Sequence, residues 1–137
     1  MKRALGIDFG DVRIGLALSD ELRMLAHPFE TVPNSPQALA HIGTVLADKS
    51  VDTAVVGLPK NMDGTKGPAA QKAEAFAQQL RAAHPQLRVL LWDERMTTVA
   101  AQRALHEAGR TVKNSRAVVD QVAAQLILQG WLDSQAL

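Results

Sequence analysis

The sequence contains no cysteine and no tyrosine. Without cysteine there can be no disulfide, no thiolate metal site and no cysteine nucleophile, which fits a reducing compartment. The only aromatic residues are three Phe and two Trp. Of these, Phe9, Phe76 and Trp92 read as core, so little aromatic surface remains for stacking single-stranded bases. No apolar run is long enough to span a bilayer. The apolar stretch behind Met1-Lys2-Arg3 is broken by Asp8 and Gly10-Asp11, too early for a signal peptide. A cytoplasmic location without membrane contact is expected. A strong charge of either sign is also missing: the net charge is +1, so a polyanion would have to be met by local clusters. The four histidines, His27, His41, His84 and His106, show no ligand-like pairing and read as surface or loop residues.

What is present fits one globular domain, 1–137, with 47% hydrophobic residues. Residues 3 to 9 alternate, so that Leu5, Ile7 and Phe9 share one face of a strand while Ala4, Gly6 and Asp8 share the other. Ile14 to Ser19 resumes the pattern after Gly10-Asp11, as in an antiparallel hairpin, and a short third strand is expected near Phe29 to Val32. Ser35-Pro36 reads as a helix start, followed by a buried stripe of Leu39, Ile42 and Leu46 ending near Lys49. Thr53 to Leu58 is a buried parallel strand by composition. A polar loop at 59–68 precedes a helix marked by Ala69, Ala73, Phe76 and Leu80 and stopped at His84-Pro85. A fifth strand is expected at Arg88 to Trp92. A third helix should run from Thr97 or Thr98 to about Glu107, ending at Gly109, with a polar stretch from Arg110 to Asn114 behind it. The last helix, about Arg116 to Asp133, is apolar almost all round and should be deeply buried. Three strands followed by alternating helices and strands predict a three-layer α/β domain, a mixed five-stranded sheet with helices on both faces.

Carboxylates in apolar surroundings are the informative residues, because burying an unpaired one is costly. Asp8 is on a strand face that otherwise carries only Ala4 and Gly6, where Ala123 and Ala124 of the last helix could approach closely. Asp93 and Glu94 follow the fifth strand, at the carboxyl end where α/β sheets bind ligands. Adjacent residues on a strand point to opposite faces, so only one of the two can meet Asp8, and alternation does not say which. Asp120 is in the second turn of the apolar last helix. Each residue also has a structural alternative: Asp8 as a cap for the following turn, Asp93 or Glu94 at the next helix's N-terminus, Asp120 paired with Arg116. Together they suit hard divalent ions, Mg²⁺ or Mn²⁺, two of which would clamp the attacking water and the leaving oxygen of an in-line displacement at phosphorus.

Five ordered segments carry a resemblance along nearly the whole chain. They are Gly6-Ile-Asp-Phe-Gly10, Arg13-Ile-Gly-Leu-Ala17, Gly57-Leu-Pro-Lys-Asn-Met-Asp-Gly64, Trp92-Asp-Glu-Arg-Met-Thr-Thr98, and Asp120-Gln-Val-Ala-Ala124 with Ile127-Leu-Gln129 and Leu132-Asp133. The sequence resembles the YqgF (RuvX) family, itself similar to the RuvC resolvases of the ribonuclease H-like fold. The resemblance implies a metal-dependent nuclease, either maturing the 5′ end of precursor 16S ribosomal RNA or resolving Holliday junctions. It implies Asp8, Glu94 and Asp120 as catalytic metal ligands, so it selects Glu94 over Asp93. Met96 departs from the family's usual Leu, Trp131 takes a place where Tyr or Phe is common, and the segment before Asp120 carries Arg110, Lys113 and Arg116 rather than a denser basic run.

Contacts to a structured RNA or branched DNA are expected from Arg13, Lys60, Asn61, Arg95 and Lys113, since backbone phosphates call for charge and hydrogen bonds rather than base edges. The protein could act as a monomer or a homodimer, a symmetric resolvase needing the latter. A reading of another class is a non-catalytic module binding ribosomal or transcription partners. Gly6 to Gly10 also resembles the first phosphate loop of sugar kinases and actin-like ATPases, but those enzymes close two lobes on a nucleotide, and 137 residues build only one.

Overall fold

The computed structural model describes residues 2–96, 103, 104, 106, 107 and 115–135. Five strands form one sheet: β1 (Arg3–Phe9), β2 (Arg13–Ser19), β3 (Ala26–Pro33), β4 (Val51–Leu58) and β5 (Arg88–Asp93). Their order is β3-β2-β1-β4-β5. The β1–β2 and β2–β3 pairs are antiparallel, while β1–β4 and β4–β5 are parallel. Three long helices are described: α1 (Ala38–Asp48), α2 (Pro68–Ala83) and α3 (Ser115–Gln135).

The alternation in β1 divides the molecule into layers. Leu5 and Ile7 join Ile14, Leu16, Ala54, Val56 and the buried faces of α1 and α2 in the larger core. Ala4 faces the other way, with Ala17, Val55 and residues Ala124, Ile127, Leu128, Trp131 and Leu132 of α3. The expected mixed sheet with helices on both faces is what the chain forms.

Helix α3 lies against the sheet backbone because glycines leave room for it. A β-carbon on Gly6 would come within 2.6 Å of the Ala124 carbonyl oxygen and 2.7 Å of Leu128 Cβ, distances that close packing does not admit. On its outer side a row of glutamines one helical turn apart ties α3 to the edge strand. Gln121 Nε2 donates to Thr31 Oγ1 (3.1 Å), Gln125 Nε2 to the Ala26 carbonyl (3.0 Å), and the Ala26 amide donates to Gln129 Oε1 (2.8 Å). Both backbone groups of Ala26, at the start of the edge strand, gain partners in this way.

Several local expectations need correction. Helix α1 begins at Ala38, not at Pro36, because Ser35 and Pro36 belong to a preceding turn in which the Ala38 amide donates to the Ser35 carbonyl. In α2 the buried stripe starts at Ala70 rather than Ala69, since the helix starts at Pro68 and the turn packs on Ala70, Ala73, Ala77 and Leu80. Strand β3 extends further toward the N-terminus than residue 29. Helix α3 is buried along one side only: Val118, Val119, Val122 and Leu126 are partly exposed. Of the predicted third helix, Arg103, Ala104, His106 and Glu107 are helical. Thr97, Thr98, Gly109 and the stretch Arg110 to Asn114, Lys113 included, lie outside the described residues.

Candidate active site

Asp8 is near the carboxyl end of β1, on the side that faces α3. Its partner on β2 is Gly15, and on β4 Gly57 follows the last β1–β4 pair, Ile7 and Val56. Both neighbours are glycines for a steric reason. A β-carbon on Gly15 would lie 2.1 Å from the Asp120 carbonyl oxygen and 3.0 Å from Asp120 Cβ, and one on Gly57 would lie 2.7 Å from Glu94 Oε2 and 2.4 Å from Ile127 Cδ1. Asp120 therefore leans over the strand on one side of Asp8, and Glu94 over the strand on the other.

The electrostatics follow from that placement. Burial, and then the Asp120 carboxylate, push Asp8 up to about 6. Burial again, followed by the charges of Asp8 and Asp93, push Glu94 up to about 7. Desolvation and like charge both disfavour the ionised acid. Two acids pushed up side by side by burial and crowded negative charge are the kind of perturbed groups that cluster at functional sites.

Glu94 reaches Asp8 because it has left the strand: β5 ends at Asp93, and Glu94 opens a short 3₁₀ turn to Met96. Asp93 is engaged elsewhere. It accepts from Arg95 Nη2 (2.7 Å) and Nε (3.1 Å) and from the Arg95 backbone amide (2.9 Å). The Arg95 side chain holds Asp93 well below the usual carboxylate range. Arg95 also reaches the loop at 59–67, where Nη1 donates to the Met62 carbonyl (3.5 Å) and packs on Gly64, whose φ of +89° favours glycine. Within the loop, Asn61 binds Thr65 through its backbone amide (2.9 Å) and its side-chain Nδ2 (2.9 Å).

Arg13 opens β2 at the mouth of the site and donates from Nε to Asp120 Oδ2 at 2.9 Å. It is this arginine, and not Arg116, that pairs with Asp120 among the described residues. The β1–β2 turn fixes its backbone: the Gly10 amide donates to the Arg13 carbonyl (3.0 Å), and Asn34 Nδ2 donates to the Gly10 carbonyl (2.8 Å). Lys60 is half-buried, makes no ion pair among the described residues, and lowers Asp93 through its charge. The structure thus brings Asp8, Glu94, Asp120 and Arg13 together and places Lys60, Asn61 and Arg95 along one flank.

The donor set is three carboxylates without sulfur or imidazole, which suits hard, oxygen-seeking divalent ions such as Mg²⁺ or Mn²⁺. Among the described residues no three carboxylates stand close enough together to make a ready-formed metal cage. Asp8 is the common neighbour of the other two, and the excess negative charge is what a cation would neutralise.

The sequence profile described as "RuvX: Holliday junction resolvase" matches residues 2–134. The chain belongs to the RuvX family. A RuvX relative from Desulfitobacterium hafniense is 47% identical over 131 residues, covering 96% of this chain and 92% of its own. Another, from a Nocardioides species, is 49% identical over 136 residues, covering 96% and 87%. Both are named as candidate pre-16S rRNA nucleases. Among solved structures, Thermus thermophilus RuvC in complex with a Holliday junction substrate superposes with a TM-score of 0.65 at 16% identity, over 98% of this chain and 96% of that one. That likeness is one of fold: this RuvX chain has a ribonuclease H-like fold of the RuvC kind.

Sequence reasoning missed one feature of the site and one of the helix that carries Asp120. Gly15 and Gly57 were visible inside motifs, but not as the seats beneath Asp120 and Glu94. The glutamines at 121, 125 and 129 recur every four residues, a spacing that puts them on one face of a helix and could have announced a polar seam.

Proposed function

We propose that this chain is a divalent-metal-dependent nuclease that hydrolyses phosphodiester bonds, with the 5′-end maturation of precursor 16S ribosomal RNA as its role. The observation that carries the reading is the trio of carboxylates at one end of the sheet, with Asp8 and Glu94 held reluctant to ionise. Asp8, Glu94 and Asp120 would hold the ions. Divalent ions bound there would polarise the phosphodiester and ease deprotonation of the attacking water. Arg13, Lys60, Asn61 and Arg95, with Lys113 outside the described residues, would meet backbone phosphates, whose charge and hydrogen-bonding capacity they match. The names of relatives at 47–49% identity support ribosomal RNA as substrate. No helix among the described residues is long and apolar enough to cross a membrane, which accords with work on ribosomal RNA in the cytoplasm.

A second reading, Holliday junction resolution, is favoured by the family description and by the fold shared with RuvC. Because one fold and one metal site can serve both substrates, the deciding experiment is side-by-side cleavage of a 5′-extended 16S precursor and a four-way DNA junction in Mn²⁺. Precursor cleavage at the mature 5′ end, with the junction left intact, is expected. Paired symmetric nicks in the junction with an uncut precursor would reverse the assignment and would call for a homodimer, whereas RNA trimming needs one site.

A further inference from the structure

We propose that Arg13 is a resident counter-ion of the carboxylate site, one that competes with the divalent ion for Asp120 and, once displaced, turns to the substrate's phosphate. The inference rests on the reading of Asp8, Glu94 and Asp120 as metal ligands and adds a linkage between metal and nucleic acid.

Three observations carry it. The contact is made through a single N–H, Nε to Asp120 Oδ2 at 2.9 Å, and not through the two-pronged fork by which guanidinium binds carboxylate most strongly. Both partners are only partly covered, with side-chain exposures of 33% and 21%, so solvent screens the pair and the side chain can exchange partners. Among the described residues the Nη1 and Nη2 groups of Arg13 have no hydrogen-bond partner. Those terminal nitrogens are donors suited to two oxygens of one phosphate.

Geometry adds direction. Gly15 lies under Asp120, and Arg13 is two residues earlier on the same strand, so both positions share the face toward α3. The Arg13 backbone is pinned by Gly10 and Asn34, as described above, so the exchange is confined to the side chain. A cation beside Asp120 repels a second cation arriving there, and the repulsion acts in both directions. Metal binding frees the guanidinium for phosphate, and by linkage the phosphate-bound guanidinium leaves Asp120 open to metal. Arg13 is thus a positioning residue whose charge is shared in turn by protein and substrate.

The test is Mn²⁺ binding by the full chain, followed by electron paramagnetic resonance without nucleic acid, for wild type, Arg13→Gln, Arg13→Lys and Asp8→Asn. Arg13→Gln should bind Mn²⁺ about fivefold more tightly than wild type, equivalent to about 1 kcal/mol, the upper range for an ion pair screened by solvent. Arg13→Lys keeps the competing charge and should stay near wild type. In a parallel filter-binding assay with uncleavable phosphorothioate RNA, Mn²⁺ should strengthen RNA binding by wild type and not by Arg13→Gln. Equal or weaker Mn²⁺ binding by Arg13→Gln, alongside Asp8-dependent binding by wild type, would overturn the proposal alone. Wild-type binding no tighter than that of Asp8→Asn would overturn the metal-site reading and this proposal with it.

Discussion

The carboxylate of Glu94 lies directly over Gly57, its Oε2 2.7 Å from the place a β-carbon on that glycine would take. Gly15 stands in a comparable relation to Asp120, with one difference that matters: the obstacle above Gly15 includes the Asp120 backbone oxygen at 2.1 Å, whereas above Gly57 it is the ends of the Glu94 and Ile127 side chains.

Gly57→Ala should therefore displace Glu94 while the fold adjusts, lowering cleavage by about tenfold or more and stability by about 1–3 kcal/mol, the usual cost of overpacking. Gly15→Ala obliges the helix backbone to move and should cost more stability than Gly57→Ala. Urea unfolding beside single-turnover cleavage checks both. A Gly57→Ala protein of undiminished activity would show that Glu94 does not need its position over β4.

The raised acids fix the direction of the pH dependence. Asp8 moves from 3.8 to about 6 and Glu94 from 4.5 to about 7, so the folded state holds these protons more tightly than the unfolded chain. Their stabilising contribution is complete below about pH 4 and is lost progressively from there until pH has passed 6 for Asp8 and 7 for Glu94. In EDTA, the stability of wild type relative to Asp8→Asn should fall by up to about 3 kcal/mol across that window. Chemical denaturation at stepped pH would reveal it. Parallel curves for the two proteins would contradict the shift at Asp8.

A third expectation concerns the seam on the far side of α3. Gln129 accepts from the Ala26 amide (2.8 Å) and donates to the Met24 carbonyl (3.1 Å). Gln129→Ala leaves that partly buried amide without its partner and should cost about 1–2 kcal/mol. Hydrogen exchange at the Ala26 amide should quicken to match, and unchanged protection there would mean that the contact does not form in solution.

Much of this architecture was legible in the sequence, for identifiable reasons. Alternation in β1 separated Leu5 and Ile7 from Ala4, Gly6 and Asp8, and the small residues on Asp8's side foretold a close helix, which proved to be α3 packed at Ala124. The choice between Asp93 and Glu94 could not be read from alternation, because Glu94 is not on the strand but in the turn that follows it. The partner of Asp120 was equally hidden. A helical neighbour, Arg116, was the local candidate, while the residue that pairs with it, Arg13, is 107 positions away in sequence. Ser35 and Pro36 carried the right signal for a helix start at slightly the wrong place, since turn and cap chemistry use the same residues.

The most direct measurement is the single-turnover cleavage of a 5′-extended 16S precursor in Mn²⁺ by wild type and by Asp8→Asn, with the melting temperature of each taken in EDTA near pH 8. Asp8→Asn removes one of three crowded negative charges without changing shape, so the variant should melt at the same temperature as wild type or higher and yet cleave no faster than background. A variant that is well folded and cleaves at the wild-type rate would show that the carboxylates at the end of the sheet are not the catalytic centre.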